Sequence, residues 1–282
     1  MKYAIAIALL GVTSVSAAPY YVGENLQPKN NVTLGFGDTM TKKDVAAARN
    51  DTGNIATLEL KGAYSPAEKS ALRLNLPFYM SSKNASLTGT SRNALGNFAI
   101  GGIWSDALSS SSAATSYGYS LSTDVFLPTS RKIEGESVAR ANPTTDLYKY
   151  TSKATAFTPT VGVYAQHDAF SAKTNIGLVY AYFPKSAPAR HTDANHFNLA
   201  WQTAGSWHII PNLHGNLEYN TIYLDTASSS TGTGKKFAHA LTPSLSGNYE
   251  KAVASAFATI PLDSTTRKVT NVAFGLNAGY TF

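Results

Sequence analysis

The last fifteen residues of the chain alternate between apolar side chains and small or polar ones, and this pattern constrains the fold most. The apolar series ends in two aromatic residues and comprises Val272, Phe274, Leu276, Ala278, Tyr280 and Phe282. The residues between them are Asn271, Ala273, Gly275, Asn277, Gly279 and Thr281. A period of two is typical of a β-strand whose two faces meet different surroundings. Residues 268–282 are therefore predicted to form a strand that is apolar on one face only.

The same alternation recurs along the chain and predicts about twelve strands. It is clearest where Leu72, Leu74 and Leu76 alternate with Arg73 and Asn75. The predicted strands cover residues 31–37, 54–64, 69–81, 96–104, 116–128, 157–167, 170–183, 194–209, 213–224, 237–249, 252–262 and 268–282. Long and short connections alternate, which favours an up-and-down antiparallel order. The facing of residues 252–262 is left open, because their alternation is weak.

The N-terminus has the features of a secretory signal peptide, predicted over residues 1–17. Lys2 supplies the positive charge, residues 3–12 form a short apolar run, and Val15-Ser16-Ala17 is a small-x-small cleavage site. Cleavage before Ala18 is favoured over cleavage before Pro19. No later segment approaches the roughly 18 apolar residues that a spanning helix needs. Residues 18–30 are predicted to be a periplasmic lead-in or a plug segment.

An exported chain with many one-sided apolar strands and no membrane helix fits a closed barrel, because lipid tolerates no unpaired backbone groups. The terminal strand ending in Phe282 resembles the closing strand of bacterial outer-membrane β-barrels. The fold class is thus predicted to be all-β: a transmembrane antiparallel up-and-down barrel over residues 31–282, with both termini periplasmic. The expected partners are outer-membrane lipid, lipopolysaccharide and the barrel-assembly machinery, which would recognise the C-terminal strand.

Outward-facing aromatic residues fall near the ends of the predicted strands. Amphipathic rings collect at the two boundaries of a bilayer. The sequence therefore predicts two aromatic girdles, formed by Tyr64, Trp104, Tyr117, Tyr182, Trp207, Tyr223, Tyr280 and Phe282.

Charged and polar residues on the opposite strand faces are predicted to line the lumen. They are Glu59, Lys61, Arg73, Asp124, Lys173, His214 and Glu218. Glu59 and Arg73 lie on neighbouring strands and are expected in or near a cross-strand pair. These charges either brace the wall by satisfying one another or form a mixed-charge constriction that orients a permeant. A twelve-stranded barrel leaves a narrow channel at most, since barrels of eight strands are filled by side chains.

Residues 129–156 form the longest and most charged gap between predicted strands. The gap includes Arg131, Glu134, Arg140, Asp146 and Lys149. One interpretation is a solvated surface loop. The other is an eyelet or lid that folds over the pore, because long loops in compact folds often have a function.

Three short motifs resemble a known family of outer-membrane proteins. They are residues 72–79 (Leu-Arg-Leu-Asn-Leu-Pro-Phe-Tyr), residues 95–102 (Leu-Gly-Asn-Phe-Ala-Ile-Gly-Gly), and residues 120–129, ending Leu-Pro-Thr. The stretch is similar to the transporter-like family named for the meta-pathway of phenol degradation. This sequence departs from the family at Asn97, where Asp is frequent, and at Ser130, where Gly is frequent. The resemblance implies a channel for small solutes such as aromatic or other hydrophobic compounds, without catalytic residues.

Two other functions stay open at this level. One is a structural or adhesive barrel with a plugged lumen. The other is an outer-membrane lipid hydrolase, for which His239 has a suitable position on the outer wall, although no serine is clearly paired with it. The sequence predicts no catalytic residue, metal site or cofactor. The chain has no cysteine, and its scattered basic residues do not form the stripe expected for nucleic-acid binding.

Overall fold

The computed structural model describes residues 29–41, 54–81, 92–108, 115–131, 147–184, 195–224, 237–264, 267 and 270–282. The predicted signal peptide and most of the predicted lead-in segment lie outside these residues, so both stay predictions. Among the described residues, no helix has the length and apolar character needed to cross a bilayer.

The described residues are almost entirely β-strand. The strands are β1 (Asn31–Thr41), β2 (Asn54–Ala67), β3 (Ser70–Ser81), β4 (Arg92–Leu95), β5 (Ala99–Ala107), β6 (Thr115–Phe126), β7 (Thr155–Phe157), β8 (Thr160–His167), β9 (Phe170–Tyr182), β10 (Asn195–Ile210), β11 (Leu213–Leu224), β12 (Phe237–Tyr249), β13 (Ala252–Pro261) and β14 (Thr270–Thr281). A short 3-10 helix (Leu147–Lys149) lies between β6 and β7.

These strands close into a twelve-stranded antiparallel barrel. Both β4 and β5 pair with β3, so they form one interrupted wall strand. Strands β7 and β8 form a second, between β6 and β9. The first and last strands pair along their whole length, from Asn31 opposite Thr281 to Thr41 opposite Thr270. This pairing leaves no free sheet edge, and the predicted barrel is confirmed.

The two faces of the wall differ as the alternation predicts. Apolar side chains such as Leu74, Leu178 and Phe274 point outward and are about half exposed. Their neighbours Arg73, Val179 and Ala273 point inward and are buried. An outward apolar face and an inward face rich in Ser, Thr and Asn are what a barrel wall in a bilayer requires.

The connections at the two ends of the barrel differ in length. We call the end at which β1 begins and β14 stops the terminal end, and the opposite end the loop end. Two-residue turns join β2 to β3, β8 to β9, β10 to β11 and β12 to β13 at the terminal end. Asp168 and Glu250 adopt positive φ in two of these turns, as the tightest hairpins require.

The interruption between β4 and β5, at residues 96–98, has a local cause. Pro77 of β3 lies opposite this break and has no N–H to donate. The pairing register between β3 and its neighbour shifts by one residue here. Gly96 N–H donates to the Pro77 carbonyl, but Asn97 N–H donates to the carbonyl of Lys149 instead. The backbone therefore leaves the ladder and directs Asn97 into the lumen.

Several predicted boundaries were wrong. Strand β1 continues to residue 41 rather than 37, and residues 92–95, predicted as loop, are strand β4. The predicted strand 157–167 is divided at Thr158 and Pro159, again because proline cannot donate to the ladder. Strand β13, whose facing was open, directs Ser255 and Thr259 inward.

Candidate functional site

The barrel lumen contains all seven side chains that the sequence analysis placed there. Glu59, Lys61, Arg73, Asp124, Lys173, His214 and Glu218 lie on the inward face, and each side chain is largely or wholly buried. They do not form one cluster, because their strands span most of the circumference. Their role in transport stays a prediction.

Glu59 is the centre of one ion-pair network. Its carboxylate lies 2.8 Å from Lys61 Nζ and 2.6 Å from Lys149 Nζ, and it accepts a hydrogen bond of 2.9 Å from the Tyr150 hydroxyl. Lys61 is two residues further along β2, so it shares the inward face with Glu59. Two cations and one phenol therefore satisfy a carboxylate whose side chain is 13% exposed.

The predicted pair between Glu59 and Arg73 was wrong. The β2–β3 register places Glu59 opposite Pro77 and Arg73 opposite Ala63, so the two charges lie four residues apart along the sheet. Arg73 instead binds Asp124 of β6 at 2.9 Å. The sequence showed which face each charge occupies, but the register decided the partners.

The Arg73–Asp124 ion pair crosses a glycine. Gly101 of β5 pairs with Arg73 on one side and with Asp124 on the other. A Cβ at Gly101 would overlap the Asp124 carboxylate and lie 2.5 Å from the Thr123 carbonyl oxygen. The missing side chain therefore gives the ion pair the space to form across the intervening strand.

A loop segment, residues 147–154, enters the lumen ahead of β7, and we call it the lumen segment. Lys149, Tyr150 and Ser152 are at most 1% exposed. The interpretation of the loop as a solvated surface element is therefore wrong for this part, and the segment occupies the barrel interior as the eyelet interpretation proposed. Residues 132–146 of the same loop lie outside the described residues.

Asn97 and Ser130 anchor the backbone of the lumen segment. Asn97 Nδ2 donates hydrogen bonds of 2.6 and 2.7 Å to the carbonyls of Tyr148 and Thr151. Asn97 Oδ1 accepts from the N–H of Ser130, whose hydroxyl donates to the Tyr150 carbonyl. These are the two positions at which the sequence departs from the family it resembles. The amide of Asn97 supplies donors that an ionised aspartate lacks.

Aromatic side chains extend the lumen segment across the barrel. Tyr150 packs edge-on against Tyr79 of β3, with ring centroids 6.0 Å apart. Tyr148 contacts Phe183 beyond β9, and its hydroxyl accepts a hydrogen bond from Asn198 of β10. The segment therefore spans the lumen from the β2–β3 side to the β9–β10 side. An apolar cluster surrounds this crossing and comprises Ala99, Phe126, Tyr148, Ala154, Ala156, Val179, Ala181, Phe183 and Ala200.

Among the described residues of the wall from β10 to β14, the buried carboxylate is Glu218, and many of the other buried polar side chains are hydroxyls and carboxamides. Glu218 accepts hydrogen bonds from Gln202 Nε2 at 2.8 Å and Asn220 Nδ2 at 2.5 Å. Further along this wall, hydrogen bonds between side chains of neighbouring strands join Asn216 to Ser244 and Ser246, Thr242 to Thr259, and Asn277 to Ser255. This side of the lumen is polar but contains little charge.

The histidine residues do not form a metal site in the part of the chain that the structure describes. His214 packs edge-on against His208 near the terminal end, with ring centroids 4.5 Å apart. No group of three or more His, Cys, Asp and Glu side chains suited to a metal occurs among the described residues.

His239, the candidate for lipid hydrolysis, lies on the outer wall as expected. Its Nδ1 is 2.8 Å from the Tyr219 hydroxyl, and its ring stacks with Tyr219 and Phe237. The Nδ1 atom is thus bonded to a phenol. This arrangement fits an interfacial side chain among aromatic neighbours.

The predicted girdle residues point outward near the strand ends. Tyr64, Trp104, Tyr117, Trp207, Tyr280 and Phe282 lie toward the terminal end, and Tyr182 and Tyr223 lie toward the loop end. Their position relative to a bilayer stays a prediction.

Lys149, Tyr150 and Asn97 lie in the lumen, although the sequence pattern did not predict it. A signal was present: the loop contains Leu-Tyr-Lys-Tyr at residues 147–150, an aromatic cluster that is unusual in a solvated loop. Large rings in a connection between strands often indicate that the connection packs against something.

The closed wall, the outward apolar face and the polar interior define a bacterial outer-membrane β-barrel. No protein-family model matches the sequence, and no curated protein matches it. The crystal structure of an outer-membrane channel from Pseudomonas putida F1 is similar, with a TM-score of 0.58 and 11% identity over 90% of this chain and 96% of that chain. The NanC porin has a TM-score of 0.56 and 8% identity over 90% of this chain and 99% of its own. At these identities the likeness shows a shared fold, and the resemblance to the phenol meta-pathway family stays a hypothesis.

Proposed function

We propose that this barrel is a narrow outer-membrane channel for small polar solutes, closed at rest by the lumen segment. The observation that carries the proposal is the ion pair between Glu59 of the wall and Lys149 of the segment. Lys149 belongs to a loop and not to a wall strand. The segment can therefore be displaced without breaking the pairing between the wall strands. Two structures of the same fold are described as a channel and a porin, which supports the proposal.

The lining favours polar solutes over the hydrophobic compounds that the family resemblance implies. Inward side chains such as Asn75, Asn216 and Ser246 offer hydrogen-bonding groups along the lumen. The apolar cluster at the crossing is occupied by the protein's own Tyr148. A hydrophobic permeant would have to leave these polar groups without partners, which is costly in a narrow pore.

A structural or adhesive barrel with a plugged lumen is the second candidate. It is favoured by the burial of side chains on the wall facing the segment, where Glu218 and Asn220 are at most 2% exposed. Displacement of the lumen segment would distinguish a closed channel from a permanently filled barrel.

The orientation and the macromolecular contacts are part of the same proposal. Short turns at the terminal end and longer connections at the loop end support a periplasmic position for both termini. The loop end would then face lipopolysaccharide, and β14 would be the strand presented to the barrel-assembly machinery.

Planar-bilayer conductance tests the proposal directly. Wild-type protein is expected to give small, infrequent openings. Glu59→Gln removes the ion pair to Lys149, so it is expected to increase the open fraction severalfold. Glu68→Gln, at an exposed turn of the terminal end, is the matched control and should behave as wild type.

Liposome uptake provides the second measurement, with arabinose as a polar probe and toluene as a hydrophobic one. The Glu59→Gln barrel should take up arabinose faster than wild type. Absence of conductance and of arabinose uptake in both proteins, with the barrel folded by circular dichroism, would establish the plugged structural barrel instead.

A further inference from the structure

We infer that the contacts holding the lumen segment form a binding site for short basic peptides, which the segment itself occupies when no peptide is present. The inference rests on the proposed channel function and names its solute class. It follows from the groups that the barrel offers to the segment. These groups are donors for backbone carbonyls and an acceptor for a side-chain ammonium group.

The first part of the site binds four successive backbone carbonyls of the segment. Asn97 Nδ2 donates to the carbonyls of residues 148 and 151, and the Asn97 N–H donates to the carbonyl of residue 149. The Ser130 hydroxyl donates to the carbonyl of residue 150. Every residue type carries such a carbonyl. This part of the site therefore recognises a peptide backbone in a turn and not a particular side chain.

The second part of the site recognises a cationic side chain. Glu59 Oε1 accepts hydrogen bonds from Lys149 Nζ at 2.6 Å and from the Tyr150 hydroxyl at 2.9 Å. Lys61 Nζ lies 2.8 Å from the other carboxylate oxygen, Oε2, so it does not take the position of the segment's ammonium group. Charge-assisted hydrogen bonds are roughly twice as strong as neutral ones. The Glu59 carboxylate therefore favours a peptide with a lysine at this position.

Burial makes the site selective for peptides. Asn97 and Ser130 are wholly buried, and a buried donor without an acceptor is costly. A solute that replaces the segment must therefore supply carbonyls to these donors and a cation to Glu59. A short basic peptide supplies all of these groups together, whereas a monosaccharide does not.

The attached segment competes with any free peptide. A tethered group has an effective concentration on the order of mM, and a free peptide also loses chain entropy when it adopts the turn. The intact segment therefore excludes weak ligands. Lys149→Gln weakens the segment's hold on Glu59 but leaves the donors of Asn97 and Ser130 in place, so it opens the site to an added peptide.

Fluorescence anisotropy of a labelled peptide measures binding to the full barrel in detergent micelles. The probe is fluorescein-labelled Leu-Tyr-Lys-Tyr-Thr amide, which copies residues 147–151. We expect the Lys149→Gln protein to bind it about tenfold more tightly than wild type, because the competing segment has lost a charged hydrogen bond. Adding Glu59→Gln to Lys149→Gln should weaken binding about tenfold, because the acceptor for the peptide's lysine is then neutral.

The controls separate recognition of the cation from general effects on the barrel. The same peptide with glutamine in place of lysine should bind the proteins with and without Glu59→Gln equally. Glu68→Gln, at an exposed turn, should leave binding to the Lys149→Gln protein unchanged. Circular dichroism shows whether each barrel is folded. Ser130→Ala gives an independent result if the Glu59 variant does not fold: it removes a backbone donor and should weaken both peptides severalfold.

Conductance in planar bilayers separates this inference from the channel function. The lysine peptide should close Lys149→Gln channels at the concentrations at which it binds. Channels that conduct while the peptide neither binds nor closes them would overturn the peptide inference and leave the channel function intact. Binding that is unchanged by Glu59→Gln and by Ser130→Ala would do the same. If no variant conducts, the channel function is overturned, and with it the assignment of peptides as the solutes.

Discussion

Gly101 illustrates how single residues determine the interior of this barrel. It lies between Arg73 and Asp124 in the pairing register, and the ion pair passes over it. Breaking a buried ion pair leaves an uncompensated charge, and this typically costs about 3–5 kcal/mol. The neighbouring Gly102 faces outward, where an added Cβ would meet only the Ala71 carbonyl oxygen, at 3.7 Å.

This contrast gives a prediction for two alanine variants. Gly101→Ala is expected to separate Arg73 from Asp124 and to lower the free energy of unfolding by about 2–4 kcal/mol. Gly102→Ala is the matched control and should change it by less than about 1 kcal/mol. Urea unfolding in phospholipid vesicles, followed by tryptophan fluorescence, measures both. Equal midpoints for the two variants would show that the ion pair does not depend on Gly101.

Among the elements, the lumen segment depends on side-chain anchors and not on a strand ladder. Asn97 forms hydrogen bonds with Tyr148, Thr151 and Ser130. Glu59 and the rings around Tyr148 and Tyr150 provide further contacts. An element held in this way opens at lower free energy than the wall, since local opening follows the number of contacts that must be lost.

The accessibility of Ser152 reports on the position of this segment. The chain has no cysteine, so Ser152→Cys introduces a unique site for a water-soluble maleimide. In the Ser152→Cys protein, Asn97→Ala removes the two hydrogen bonds from Nδ2 and is expected to raise the labelling rate about tenfold.

Asn216→Ala is the control for this experiment. It also removes two lumen hydrogen bonds, to Ser244 and Ser246, but these lie away from the segment. If both alanine variants accelerate labelling equally, the segment is not anchored by Asn97 and its release reflects general loosening of the barrel.

At the scale of the whole molecule, the barrel is stable because its outer face meets hydrocarbon and every wall strand has two neighbours. Leu74, which is 50% exposed near the middle of β3, represents this outer face. In water such a continuous apolar surface would drive association. In lipid it is the face that the environment favours.

A lysine scan at two leucines tests this environment. Leu74→Lys is expected to destabilise the vesicle-embedded barrel by about 2–4 kcal/mol, the value for a lysine at the bilayer midplane. Leu108→Lys, one residue beyond β5 and close to the expected bilayer boundary, should cost at most about 1 kcal/mol. Unfolding titrations in the same vesicles give both values. A small, equal effect at the two positions would mean that Leu74 does not face hydrocarbon.

The strand faces could be predicted because alternation is a local property of the backbone. Successive side chains point to opposite sides, so Arg73 and Leu74 are assigned to different faces from their order alone. Strand ends at β4, β7 and β8 could not be predicted in the same way. There the ladder is interrupted by Pro77 and Pro159. The Asn97 N–H finds its partner in the lumen segment, and the Thr158 N–H finds its partner at Asp124 of β6.

The sequence by itself determined a closed barrel with an apolar outside, a polar inside and seven inward-facing ionisable side chains. Only the tertiary structure decided which of these side chains meet and that a loop crosses the interior. Glu59 and Lys149 are 90 residues apart, and their contact depends on the strand register and on the path of the loop. Neither quantity is encoded in a repeat of two residues. The physical reason is that facing follows from local backbone geometry, whereas ion pairing follows from distances that exist only after the barrel closes.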